Sequence, residues 1–196
     1  MADFELDRNT TALLIADFYA EMMDTLAHAV DRGVVDKTRA LQQAAREAGL
    51  LVCYSATVFR PGYIEISDRN KTFSQRKRSG QPAVSDPVQL IHPSVKPVEG
   101  EVVVGKHRVN ALYGTDLDMI LRANDIHTLV ILGYATSGVV LSTVRYAADL
   151  DYQLVVVEDC CSDQDPEVHD FLTQRIFPRQ AEVVSSQEVI GALAGA

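Results

Sequence analysis

The chain has 196 residues, 47% of them hydrophobic, enough to bury the core of one domain of ordinary size. Eighteen Lys and Arg against 27 Asp and Glu leave a formal net charge of -9, which excludes nucleic acid and anionic membranes as general partners. No run approaches the roughly 18 apolar residues of a bilayer span. The start MADFELDRNT is acidic where a secretory leader is basic, so a cytoplasmic protein is expected.

In chain order, TALLIADF (11–18) is an apolar run closed by an acid, followed by a helical stretch from about Asp24 to Ala48 that ends at Gly49. LLVCYSATVF (50–59) comes next and completes a βαβ unit. Residues 58–100 break the rhythm: they hold five of the seven prolines, with a short helix expected between Asp68 and Gly80. Further strands are expected at EVVVG (101–105), HTLVILG (127–133), YQLVVVE (152–158) and AEVVSS (181–186), with helices at about 115–124, 138–149, 166–176 and 187–194.

Near-continuous Val, Ile and Leu runs mean that both strand faces are covered. The pattern predicts an α/β fold, three layers α/β/α, around a mostly parallel six-stranded sheet, as a single domain over 1–196. Residues 58–100 are expected to form a long loop over the active site. Open sheets of this kind bind ligands beyond the carboxyl ends of their strands, which selects Asp17, Thr57 to Arg60, Lys106 and Gly133 to Val139.

Asp17 at a strand mouth is placed to move protons if partly desolvated, and is equally placed to cap a helix. Lys106 holds the same position after another strand, where it would neutralise Asp17 or polarise a substrate oxygen. Between Arg60 and Arg78 stand six basic residues against Glu65 and Asp68, a locally positive stretch in an acidic chain. It reads either as recruitment of a carboxylate-bearing small molecule, with Arg60 as the first choice, or as a solvated face. GYATSGVVLST (133–143) turns from strand into helix, so backbone N–H groups around Ser137 to Val139 are expected to point outward at an anion or oxyanion. The cysteines Cys53, Cys160 and Cys161 fit neither a disulfide framework nor zinc-ligand spacing, and reduced thiols used for packing are expected. The five histidines are scattered, with only His107 expected to border the pocket; no metal and no cofactor are expected.

With TALLIADF, VVVGKHRVNAL and GYATSGVVLST in view, nearly the whole chain resembles the isochorismatase-like hydrolases, the cysteine hydrolase superfamily. The resemblance implies Asp17 and Lys106 as catalytic residues; Arg60, Thr136, Ser137 and Gly138 are the expected substrate contacts. It also implies a non-proline cis peptide near Ala135–Thr136. In the family motif Gly-x-x-Thr-x-x-Cys the nucleophilic cysteine would fall on Val139, which has no lone pair or ionisable proton. The chain therefore resembles the branch in which that cysteine is absent. There a protonated Asp17 would protonate a vinyl ether and water would complete the hydrolysis of a small anionic substrate. The alternatives are a ligand-binding member without turnover, or an amidase whose nucleophile has moved to Ser137, Ser142 or Thr143. The resemblance and the apolar terminal helices also imply a homo-oligomer.

Overall fold

The computed structural model describes residues 5–195. Its strands are β1 (Thr11–Ala16), β2 (Leu51–Thr57), β3 (Val102–Lys106), β4 (Thr128–Tyr134), β5 (Gln153–Ser162) and β6 (Glu182–Val184). They form one sheet in the order β3-β2-β1-β4-β5-β6, and every adjacent pair is parallel. All six residues of β1 are buried, as a strand covered on both faces requires.

The helices are α1 (Ala20–Met23), α2 (Ala27–Asp31), α3 (Val34–Glu47), α4 (Lys71–Arg78), α5 (Leu117–Ala123), α6 (Leu141–Asp149), α7 (Pro166–Phe171) and α8 (Ser186–Gly195). The amphipathic α3 buries Leu41 and Ala45 against the sheet and packs beside α8 on one face. The strand order reverses direction between β1 and β4, so right-handed crossovers place α6 on the other face.

The single helix expected from Asp24 to Ala48 is two helices, α2 and α3, preceded by the separate short α1. Gly33, in the left-handed region at φ 62°, ends the turn after α2 and opens α3 on a new axis. Lys106 is the last residue of β3 and does not follow it. β5 runs on to Ser162, carrying extra residues relative to β4 between the pairs Ile131/Val156 and Gly133/Cys161. The expected helices over 138–149 and 166–176 each include a wide π-helical turn, at Thr136–Val140 before α6 and at Leu172–Ile176 after α7.

The expected helix in the proline-rich stretch is α4, whose first turn is capped by Asn70 accepting from the Phe73 amide at 3.1 Å. This stretch has a small core of its own, Phe59, Tyr63 and Ile66 with Phe73 and Ala83 against them. It is tied to the sheet where the His92 amide donates to the Phe18 carbonyl at 2.8 Å, and where Val58 donates to the Lys106 carbonyl at 3.0 Å.

The reversal point between β1 and β4 is where an open sheet leaves a crevice, and one glycine sets its width. Gly133 pairs with Ala16 and adopts φ 141°, and a Cβ there would lie 1.9 Å from the Ala16 carbonyl oxygen. Gly133→Ala is expected to destabilise the protein by about 3 kcal/mol or more in urea unfolding. Gly191→Ala, in α8 with nothing within 4 Å of the added methyl, is expected to stabilise by about 0.5–1 kcal/mol. Equal effects of the two would contradict this account of the crevice.

Candidate active site

Asp17 leaves β1 in the left-handed region, φ 49°, which turns its carboxylate inward over the carboxyl edge of the sheet. The Lys106 ammonium, fully buried at the end of β3, meets Asp17 Oδ2 at 2.7 Å. The strand between them, β2, supplies Thr57, whose hydroxyl accepts from Lys106 Nζ at 2.6 Å and turns its own proton toward Asp17 at 3.4 Å. Lys106 also donates to the Arg108 carbonyl at 3.1 Å.

Tyr19 completes the group. Its hydroxyl donates to Asp17 Oδ1 at 2.6 Å and accepts from the Thr57 amide at 2.7 Å. The sequence reading missed Tyr19, because its ring folds back on Asp17 only through the positive φ that no spacing reveals. Burial pushes the Asp17 carboxyl above its ordinary value, against the opposing pull of the Lys106 charge and the three hydrogen-bonding side chains. Burial likewise lowers Lys106, with Asp17 pulling the other way, and raises the Tyr19 hydroxyl well above its ordinary value. The arrangement is a carboxyl held ready to carry a proton beside a cation.

The turn after β4 comes next to this group because Gly133 sits against Ala16. A non-proline cis peptide lies at Tyr134–Ala135, one bond earlier than expected. Ser137 is exposed and Gly138 half-buried, whereas Thr136 and Val139 are buried. The expectation of outward, unpaired N–H groups is corrected here for Ser137 and Gly138. The Ser137 amide donates to Asp163 Oδ2 at 2.6 Å, and Gly138 and Val140 both donate to the Ala135 carbonyl. A carboxylate from beyond β5 already occupies the charge-complementary position at Ser137.

The guanidinium of Arg60 and its backbone amide both bind Glu65 Oε1, at 2.7 and 3.1 Å. His107 does border the region, its Nδ1 donating to the Val58 carbonyl at 2.7 Å, with Nε2 4.0 Å from Glu65 Oε1. His28 and His169, expected to be scattered, converge behind the turn with ring centroids 4.8 Å apart. They come from α2 and α7, and nothing in their separation along the chain signals this. Among the described residues no group of three or more His, Cys, Asp or Glu is arranged to hold a metal ion, and no helix is long and apolar enough to cross a membrane. A large open cavity of about 1510 Å³ lies at the opposite edge of the sheet, lined by Thr10, Thr128 and Gln153, away from Asp17 and Lys106.

The isochorismatase domain matches residues 11–188 of the chain. An uncharacterized isochorismatase family protein of Escherichia coli O157:H7, YecD, is 32% identical over 193 residues, covering 96% of this chain and 99% of that protein. A probable isochorismatase of Pseudomonas chlororaphis is 30% identical over 193 residues, covering 97% of this chain and 89% of that protein. Among solved structures, an isochorismatase family protein from Burkholderia thailandensis is similar with a TM-score of 0.79 at 29% identity, covering 97% and 98% of the two chains. The chain belongs to the isochorismatase family. Its relatives there include amidohydrolases as well as isochorismatases, and hydrolysis is their shared chemistry.

Within the family frame the thiols are inert by position. Cys53, Cys160 and Cys161 are all fully buried, and burial pushes Cys53 and Cys161 up to about 12 and Cys160 higher still. All three are expected to resist iodoacetamide until the protein unfolds. Labelling of any of the three in the folded state, read by peptide mass spectrometry, would contradict their placement in the core.

Proposed function

We propose that the protein is a hydrolase acting on a small anionic substrate by general acid catalysis from Asp17, with a vinyl ether as the bond hydrolysed. The observation that carries this reading is the burial of Asp17 with Lys106 at 2.7 Å, where burial raises the acid against the opposing pull of the ammonium. Protonated Asp17 gives its proton to the terminal methylene carbon of an enolpyruvyl ether, and the π electrons leave a cationic carbon stabilised by the ether oxygen. Water adds to that carbon and returns a proton to the Asp17 carboxylate. The resulting hemiketal collapses to pyruvate and an alcohol, consuming one water overall.

Lys106 holds the carboxyl in place and stabilises the carboxylate that forms as Asp17 gives up its proton. Arg60, with a guanidinium 61% exposed, is the proposed recruiter of a substrate carboxylate. Thr136, Ser137 and Gly138 are proposed to frame the substrate from the turn side, with residues 58–100 covering the site. No step needs a nucleophile at position 139, where valine is 2% exposed. The proposed setting is a cytoplasmic homo-oligomer, consistent with the exposed apolar side chains Tyr113, Met119 and Phe171.

Val139 favours one second reading, a family member that binds an anionic ligand without turning it over. Assay of pyruvate release from isochorismate separates the two. The account predicts release, and a loss of at least about a hundredfold in Asp17→Asn. The active form is the acid, so kcat/KM is high below the Asp17 pKa and falls as pH rises through it. Burial raises that pKa, so the fall lies above the ordinary aspartate range. Ligand binding without turnover supports the second reading, and turnover untouched by Asp17→Asn would overturn the first.

A further inference from the structure

Two imidazoles outside the Asp17–Lys106 group grip consecutive residues of the turn after β4. His169, buried on α7, places Nδ1 2.8 Å from Thr136 Oγ1. Its Nε2 edge faces Glu158 Oε2 at 3.8 Å, and Arg32 pairs with the same carboxylate. With Nε2–H turned to that carboxylate, Nδ1 takes the proton of the Thr136 hydroxyl. His28 on α2 reaches the neighbouring residue at one remove. Its Nδ1 accepts from the Asp163 amide at 3.3 Å and lies 3.1 Å from Ser162 Oγ, and Asp163 Oδ2 accepts the Ser137 amide at 2.6 Å.

We propose that His28 and His169 are positioning residues that hold the Thr136–Ser137 turn in register with the Asp17–Lys106 pair, and that the grip through Asp163 exists only while His28 is neutral. A backbone N–H can only donate, so the Asp163 amide requires a lone pair on His28 Nδ1. Protonation would set two donors head to head and loosen the Asp163 segment that binds Ser137. Of the charged groups around His28, Arg32 and His169 disfavour its cation and Asp170 favours it, while Glu158 lies against Arg32 and His169 and the Asp163 carboxylate is engaged with the Ser137 amide. Burial, Arg32 and His169 together lower its pKa, which keeps the neutral form in place to more acidic pH.

The inference uses the reading that this turn borders the reaction site, but its test needs no turnover, so the two fail separately. Amide hydrogen exchange at Ser137, with Val130 in β4 as the core reference, is measured in the full chain at neutral pH. His28→Leu and His169→Leu are each expected to speed exchange at Ser137 about tenfold with Val130 unchanged. His28→Asn and His169→Asn, which return a polar atom near the Nδ1 position, are expected to restore protection. No change at Ser137, or a parallel rise at Val130, would overturn the positioning role.

The unmodified protein supplies the second arm. Nitrogen-15 spectra of the histidine rings are expected to show His28 Nδ1 unprotonated at neutral pH, and protection at Ser137 is expected to fall as His28 titrates in acid. A protonated Nδ1 at neutral pH, or protection indifferent to that titration, would overturn the proposal.

Discussion

The buried contact between Asp17 and Lys106 is the constraint around which the carboxyl edge of the sheet is arranged. Two opposite charges taken out of water cost several kcal/mol each, and mutual attraction repays that only when the remaining lone pairs and protons are satisfied. Thr57 and Tyr19 meet that condition. Because β2 lies between β1 and β3, the hydroxyl at its end stands between the acid and the amine, and Thr57 is the register partner of Lys106. Removing either ion would leave the other buried without its partner, a change of about 3–5 kcal/mol in comparable cases. The positive φ of Asp17 belongs to the same arrangement, since it turns the acid inward and brings Tyr19 back over it.

Much of the fold was legible because its strands carry a strong signal. Continuous aliphatic runs between glycine and polar punctuation marked all six strands, and their burial on both faces marked the sheet as parallel. Asp17 and Lys106 were legible as a pair for the same reason: an ionisable residue at the end of an apolar strand in an open sheet has one place to go. Gly33 was harder, since a glycine inside a helical pattern reads equally as tolerated and as a break, and the left-handed conformation decides which. The extension of β5 through Asp159 and Cys160 was obscured by the acids in its last residues.

The contacts around the turn after β4 were the least legible, because they depend on distance across the fold. Ser137 is 26 residues from Asp163, and His28 is 134 residues from Ser162. A helix start read in isolation offers free N–H groups, and the carboxylate that takes one of them arrives from the segment after β5. Arg60 shows the same limit: the basic stretch predicts an available cation, and Glu65, five residues on, binds it. Local composition describes what a segment brings, while its partners are set by topology.

The site thus combines a buried carboxyl, a buried cation and a turn with polar contacts behind it. Its three thiols are buried in the core, apart from that chemistry. The most direct measurement of the central claim is a carbon-13 titration of the Asp17 carboxyl in the unmodified protein and in Lys106→Met. The account predicts a midpoint above that of ordinary aspartates, moving further up when the ammonium is removed, because burial then acts unopposed. A midpoint in the ordinary range that does not move in the variant would contradict it.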